Sequence, residues 1–247
     1  MRLVAISDIH INEHDDHGLT CFRNFSSHYL VKDATHVALM GDIFDLLVGN
    51  HQEYDKRWKE VFKIIQNFCE QGKVVYFAEG NHDMHLRRLL WRIASGWPSC
   101  ANHLVHIEDY LVIDFLGKKV HLSHGDELNV HDVTYLKYKK FIKKFPMGLI
   151  ADFLMPITVL DYLGHKASKK SRKYGSIRFN EEDVRSKFRE GLSKYFNTGI
   201  DIVVGGHSHV TDYYLNGNLT YLNNGYPPKS NKFIVIDHEG PRLETLV

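Results

Sequence analysis

Five times along this chain an apolar run stops at residues able to bind a metal ion. Leu3-Val4-Ala5-Ile6 runs into Ser7-Asp8-Ile9-His10, and His36-Val37-Ala38-Leu39-Met40 runs into Gly41-Asp42-Ile43-Phe44-Asp45. Val74-Val75-Tyr76-Phe77-Ala78 ends in Glu79-Gly80-Asn81-His82-Asp83. Val120 to Ser123 ends in His124-Gly125-Asp126, and Ile200 to Val204 in Gly205-Gly206-His207-Ser208-His209. Short apolar runs bounded by turn residues mark strands buried on both faces. Side chains alternate along a strand, so Asp8 and His10 leave the first run on the same side. One Asp-x-His pair is a weak signal, because a lone strand-end aspartate is usually a cap or turn residue. Five such endings call for a common cause.

The spaces between the runs are as informative. Leu19, Phe22, Phe25 and Leu30 recur at roughly helical spacing, as do Trp58, Phe62, Ile65 and Phe68 before Gly72 stops the pattern. The first part therefore reads strand, helix, strand, helix, strand, an α/β arrangement whose ligands gather at the carboxyl ends of parallel strands. Leu104 to Ile107, Leu111 to Phe115 and Val120 to Ser123 read as shorter strands, with Gly117-Lys118 as a hairpin turn. Residues 128–198 turn helical and partly basic, without a strand signal. There Asn180 caps a helix with Asp183 three residues on, and Val184, Phe188, Leu192 and Phe196 form its stripe. Short strands close the chain, with a hairpin at Asn216-Gly217-Asn218 and another strand end at Asn223-Asn224-Gly225. A chain of 247 residues suits one domain, 1–247, with 128–198 as a helical insertion within it.

Several classes are disfavoured. A formal net charge of +1 gives no global bias toward nucleic acid or anionic lipid. Cys21, Cys69 and Cys100 are odd in number and widely spaced, which fits free thiols in a reducing compartment. The first residues lack a charged n-region leading into an apolar h-region, and no apolar stretch approaches the length of a membrane span. The expectation is a cytoplasmic protein.

The mixture of carboxylate, imidazole and amide oxygen suits Mn, Fe, Zn or Co better than Ca, which prefers oxygen alone. There are ligands enough for two ions. Two ions roughly 3.5–4 Å apart can clamp the attacking and leaving oxygens of a displacement at phosphorus. A shared carboxylate bridges them most simply, and Asp42 is the candidate.

Asp8-Ile9-His10, Gly41-Asp42, Gly80-Asn81-His82-Asp83, His124 and Gly206-His207-Ser208-His209 together resemble the signature of the calcineurin-like metallophosphoesterases, spread over residues 8–209. The resemblance implies a four-layer αββα sandwich, an α/β (α+β) fold, with a dinuclear centre at its strand ends. By that pattern Asp8, His10, Asp42 and His209 hold one metal, and Asp42, Asn81, His124 and His207 the other. The implied cofactors are two divalent transition metal ions, Mn first, with Fe or Zn as alternatives. The pattern further implies a bridging hydroxide that attacks phosphorus, with His82 beside the leaving oxygen as general acid or positive clamp. Asp42 and His82 are the catalytic candidates. A metal-free protein-binding scaffold would have shed ligands, and none is shed here.

Substrate choice points to the insertion. Asp132 and Tyr135 are followed by Lys137, Lys139, Lys140, Lys143 and Lys144, then by the mostly apolar Met147 to Gly164, then by Lys166, Ser168, Lys169, Lys170, Arg172 and Lys173. Ten cations stand against Asp152 and Asp161 over 137–173. This composition reads as a lid with apolar helices for an acyl chain and cations for phosphates or an anionic membrane surface. A helical hairpin packed on the core with a solvated basic face would account for it too. The lid lacks the aromatic interleaving of a single-strand groove apart from Tyr135, Tyr138 and Phe141, so nucleic acid is not the expected partner.

The arrangement is similar to the UDP-2,3-diacylglucosamine hydrolases of lipid A biosynthesis, which carry a helical insertion just after the His-Gly-Asp strand. That similarity implies a lipid-linked pyrophosphate substrate, peripheral contact with the inner face of the membrane, and substrate contacts from Asp132, Tyr135, Ser168, Lys169 and Arg172. The chain departs from it at two places. His82 stands where those hydrolases usually carry arginine, and Arg172 where they tend to carry a neutral amide. A phosphate leaving group, with its last pKa about 6, needs no proton donor, whereas an alkoxide does. His82 thus keeps open a phosphomonoesterase or phosphodiesterase acting on a nucleotide, phospholipid or phosphoprotein.

Overall fold

A computed structural model describes residues 1–144, 146–162 and 180–246. Ser168, Lys169 and Arg172 lie outside the described residues. Two sheets stack face to face. The first has the order β13-β12-β1-β2-β4-β6 and the second β10-β11-β9-β8-β7, beside a small β3-β5 pair. In the first sheet β1 (Leu3–Ile6), β2 (His36–Met40), β4 (Val74–Ala78) and β6 (Leu104–Ile107) run parallel, while β12 (Lys232–Asp237) and β13 (Gly240–Thr245) close one edge antiparallel. In the second, β8 (Lys118–Ser123), β9 (Ile202–Gly205) and β11 (Leu219–Asn224) are parallel, flanked by antiparallel β7 (Tyr110–Phe115) and β10 (Thr211–Asn216). The minor pair is β3 (Leu47–Val48) with β5 (Asp83–Met84).

Alternation along the strands builds the layers. Leu3, Ala5, Ala38 and Met40 face the second sheet, where Val120, Leu122, Ile202 and Val204 meet them. Val4, Ile6, Val37 and Leu39 point the other way, against Phe22 and Phe25 of the helix His17–Ser27 and Phe62, Ile65 and Phe68 of the helix Lys59–Glu70. On the outer face of the second sheet, Val203 and Tyr221 receive Phe188 and Leu192 from the helix Glu181–Gly191 and the turn after it. Helix, sheet, sheet, helix: this is the expected four-layer sandwich.

Local details adjust the sequence reading. The first helical pattern breaks at His28, whose extended backbone and ring nitrogen cap a second short helix, Tyr29–Lys32. The β7–β8 turn falls on Leu116 and Gly117, one residue before the expected pair, because both take positive φ (52° and 75°) as a tight hairpin turn requires. Asn180 caps its helix as expected, accepting from Glu182 and Asp183. The helix Arg87–Gly96 was not anticipated, since His85 to Arg88 mask its apolar face at the start. Residues 128–198 contain no strand among the described residues; Val133–Ile142, 157–162 and Glu181–Gly191 are helical. The two acids of the basic stretch anchor it to the body. Asp161 takes a bidentate pair from Arg57 (2.9 and 3.0 Å), and Asp152 faces Arg88 at 3.3 Å.

Candidate metal centre

The carboxyl ends of β1, β2 and β4 in one sheet and of β8 and β9 in the other converge at one end of the sandwich. The turns that leave them are unusual. Asp8, His10, Asp42, His207 and His209 all take positive φ, between 52° and 65°. Non-glycine residues occupy that region at a cost, so the surroundings must impose it. The first two turns run side by side, with Asp8 N–H donating to the Gly41 carbonyl and His10 N–H to that of Asp42. Glycine is required where they touch: a Cβ on Gly80 would collide with Asp42, and one on Gly206 with Ser7 and Asp8.

Three groups of donors result, of which His10, Asp45 and His82 form one at the rim. Ligand atoms of Asp8, His10, Asp42 and His209 lie within 4.8 Å of one another, as do those of Asp42, His124 and His207. Asn81 joins the second group, its Oδ1 lying 3.2 Å from His124 Nε2 and 2.8 Å from His207 Nδ1. Asp42 Oδ2 stands between the two, 3.7 Å from His10 Nε2 and 3.6 Å from His124 Nε2. His10 Nε2 and His209 Nε2 face each other at 3.1 Å, and His209 Nε2 lies 3.4 Å from Asp8 Oδ1. Ring nitrogens and carboxylate oxygens aimed at common points, rather than at partners of their own, suit a divalent ion. His124 shows the supporting bond such ligands use: its Nδ1 sits 3.0 Å from the Met40 carbonyl, so Nδ1 carries the proton and Nε2 faces inward.

The electrostatics fit a site short of positive charge. Burial works against the Asp42 carboxylate, yet His124, His82 and His10 hold it far below the usual carboxylate range. Burial likewise disfavours the His124 imidazolium, but Asp42, Asp8 and Asp126 outweigh it and lift the imidazole to about 9. His207 is pushed down to about 4 by burial and by His124.

His82 lies at the rim, its ring 4.8 Å from that of His10, with Nδ1 2.8 Å from the Asp45 carbonyl. Its backbone N–H donates to Asp42 Oδ1 (2.9 Å). The Tyr135 ring stacks on His207 at 5.4 Å, and its hydroxyl donates to Asp126. Asp132 caps its own helix, accepting from Tyr135 N–H at 2.8 Å. Sequence reasoning gave no role to four residues that shape the site. Asp83, fully buried, accepts from the backbone N–H of Asp42 (2.9 Å), Ile43 (2.7 Å) and Gly80 (2.8 Å). Asp45 approaches both His10 and His82. Asn224 grips Ser7 through its N–H and its carbonyl, and Tyr226 stacks on His209 at 5.5 Å. Asp83 and Asp45 stood inside the motifs; Asn224 and Tyr226 had no signal beyond a strand end.

The comparisons agree with this geometry. The calcineurin-like phosphoesterase family profile matches residues 1–211. The chain belongs to that family, the metal-dependent phosphoester hydrolases. Among curated relatives, UDP-2,3-diacylglucosamine hydrolase of Histophilus somni is 28% identical over 206 residues, covering 83% of this chain and 82% of that protein. The protein of the same name from Neisseria meningitidis serogroup C is 26% identical, covering 83% and 80%. Among solved structures, an archaeal phosphodiesterase superposes with a TM-score of 0.51 at 13% identity over the full length of both chains, a likeness of fold.

Proposed function

We propose that this protein is a dinuclear pyrophosphatase that cleaves the phosphoric anhydride of a nucleotide-linked lipid such as UDP-2,3-diacylglucosamine. The observation that carries the dinuclear reading is Asp42 Oδ2, set at 3.7 and 3.6 Å from one histidine of each group. In this reading Asp8, His10, Asp42 and His209 hold one ion, and Asp42, Asn81, His124 and His207 the other, with Mn the preferred metal. The ions would supply Lewis acidity to the phosphoryl oxygens and to water. The protein's own contribution is to fix the donors on strained, cross-linked turns, and to set His82 at the leaving-group side. The relatives' name supports the substrate.

The segment 128–198 is the proposed lid. Tyr138 and Phe141 are 55% and 58% exposed on the helix that also carries Lys137 and Lys140, a mixed surface suited to peripheral contact with an anionic cytoplasmic leaflet. Among the described residues no helix is long and apolar enough to cross a membrane.

A second reading is favoured by one residue. Asp45's carbonyl holds His82 Nδ1–H, so a protonated His82 can present Nε2–H to an alkoxide, as ester hydrolysis needs and anhydride cleavage does not. The test is hydrolysis of UDP-2,3-diacylglucosamine beside bis-p-nitrophenyl phosphate with Mn supplied. Turnover of the second alone defeats the lipid reading; absence of bound transition metal in protein purified without chelator defeats both.

A further inference from the structure

Two histidines serve the donor group around Asn81, and the structure supports them differently. His124 has its Nδ1 on the Met40 carbonyl at 3.0 Å. The His207 ring meets no carbonyl or carboxylate among the described residues; its hydrogen-bond contact is Nδ1 with Asn81 Oδ1 at 2.8 Å, itself a donor of the group. An imidazole that binds an ion ordinarily has its other nitrogen fixed by a carbonyl or carboxylate, and losing such a support costs about 10–100-fold in affinity. His207 also stands on strained backbone, at φ 65°. Its aim has to come from elsewhere.

Packing supplies it. The Tyr135 ring stacks on the imidazole, centroids 5.4 Å apart and planes 28° from parallel, and Phe188 approaches at 6.2 Å. Phe188 belongs to the core beneath the second sheet, but Tyr135 belongs to the helix Val133–Ile142, which buries none of its residues. Such a helix needs another hold on the body, and Asp126 provides one. This carboxylate, two residues beyond His124 and 1% exposed, accepts from the Tyr135 hydroxyl (2.8 Å) and from Lys139 Nζ (2.7 Å). Tyr135 and Lys139 stand four residues apart on one helix face, so both reach the same group. A buried carboxylate held by a cation and a hydroxyl is a firm mount. It is also close to its target: Gly206 N–H donates to the His124 carbonyl at 2.6 Å, and a Cβ on Gly125 would collide with Gly206. With its hydroxyl committed to Asp126, Tyr135 offers the centre its ring.

We propose that Tyr135 is a positioning residue for His207: its ring holds the imidazole in the orientation an ion needs, and Asp126, paired with Lys139, holds the ring. The proposal rests on the dinuclear reading and deepens it. The first helix of the insertion is then a fixed wall of the metal centre, and Tyr135 acts through His207 rather than through the substrate.

The test is a zinc titration of the full chain in a chelator buffer, followed by long-range 1H–15N NMR of the histidine side chains. His124 and His207 report one donor group, His10 and His209 the other. In Tyr135→Leu, half-saturation of His124 and His207 is expected at about tenfold higher free zinc than in the parent, with His10 and His209 unchanged. Tyr135→Phe keeps the ring and loses the hydroxyl, and is expected to fall between Leu and the parent. Tyr135 is only partly buried, so neither substitution empties the core. Unchanged affinity in Tyr135→Leu, the result if Tyr135 serves substrate contact alone, or an equal loss at both groups overturns the positioning role. A Tyr135→Phe variant no better than Leu overturns the part given to the ring, and one equal to the parent overturns the part given to Asp126. The parent's stoichiometry tests the dinuclear reading by itself: uptake of a single ion defeats that reading, while the response of His207 to Tyr135→Leu still decides this one.

Discussion

Protons and metal ions compete for the same few atoms around Asp42, and the competition can be worked out. Without an ion, burial disfavours the His124 imidazolium, but the carboxylates of Asp42, Asp8 and Asp126 prevail and hold its pKa at about 9. A histidine in an unfolded chain titrates at about 6.5. The folded pKa is raised, so this group stabilises the ion-free fold fully below pH ~6.5 and loses that contribution as pH rises through about 9. The gap gives an upper bound of about 3 kcal/mol. Below pH 6.5 the trend is blurred: Asp83, raised to about 7 by burial and Asp42, works in the same direction, while His207, lowered to about 4, works against it. Above pH 7 the trend runs one way, since burial disfavours the His209 imidazolium too but its bond to Asp8 prevails, so His209 is raised and adds to the effect of His124.

Binding an ion needs the His124 Nε2 lone pair, because Nδ1–H is committed to the Met40 carbonyl. At pH 7.5 the imidazole sits about 1.5 units below its pKa, so freeing it costs about 2 kcal/mol, or roughly thirtyfold in affinity. The expected outcome is release of about one proton from His124 on uptake of the one ion it holds, seen calorimetrically as a binding enthalpy that varies with the buffer's ionisation enthalpy. Affinity should climb by close to tenfold per pH unit from 6.5 to 8.5. Ionisation of a bound water would release a proton as well, so His124→Gln is the control and should release one fewer. A buffer-independent enthalpy, or a His124→Gln variant that releases as many protons as the parent, refutes the argument.

Three further outcomes follow from the same geometry. Asp42→Ala removes the carboxylate set between both donor groups, so turnover and tight ion uptake should disappear together, by activity assay and metal analysis. His82→Ala should spare ion uptake and slow alkyl ester hydrolysis by about 10²–10⁴-fold while leaving anhydride cleavage near the parent rate; full retention of ester turnover contradicts the general-acid role. Asp83→Ala orphans the buried backbone N–H groups of Asp42 and Ile43, while that of Gly80 keeps the Asp83 carbonyl at 3.1 Å; at about 1–3 kcal/mol each, denaturant unfolding should show a loss of at least about 2 kcal/mol.

The layers and the strand-end motifs were legible because both are periodic or local. Leu3 to Ile6 and Ile202-Val203-Val204 announce buried strands by composition, and Asp8, His10 and Asp42 follow such runs directly. What could not be read was whatever depends on contacts distant in sequence. Asn224 reaches Ser7 across 217 positions, and Asp83 reaches the turn after β2 across about forty. Neither carries a pattern of its own, since an asparagine before glycine reads as a turn and an aspartate after His82 as one more candidate ligand. The two acids of the basic segment were likewise read as a deficit of charge, whereas Asp161 and Asp152 are its attachments to Arg57 and Arg88.

The distant contacts explain how the centre keeps its shape. Five of the candidate ligands occupy left-handed backbone, at a cost of about 1 kcal/mol or more each, so left alone their turns would relax and the donors would disperse. Asp83 ties the turn after β2 to the turn after β4 through three N–H groups. Both carboxylate oxygens of Asp8 lie 3.0 Å from His207 N–H, which joins the first sheet to the second. Asn224 holds Ser7 from the other side, and Asn223 donates to the Gly206 carbonyl at 2.7 Å. All of these clamps are buried, and they come from both large sheets and from the small β3–β5 pair. The interior of the sandwich thus supports the strain that aims the donors, so a substitution that loosens a clamp should weaken ion binding even where it touches no donor atom.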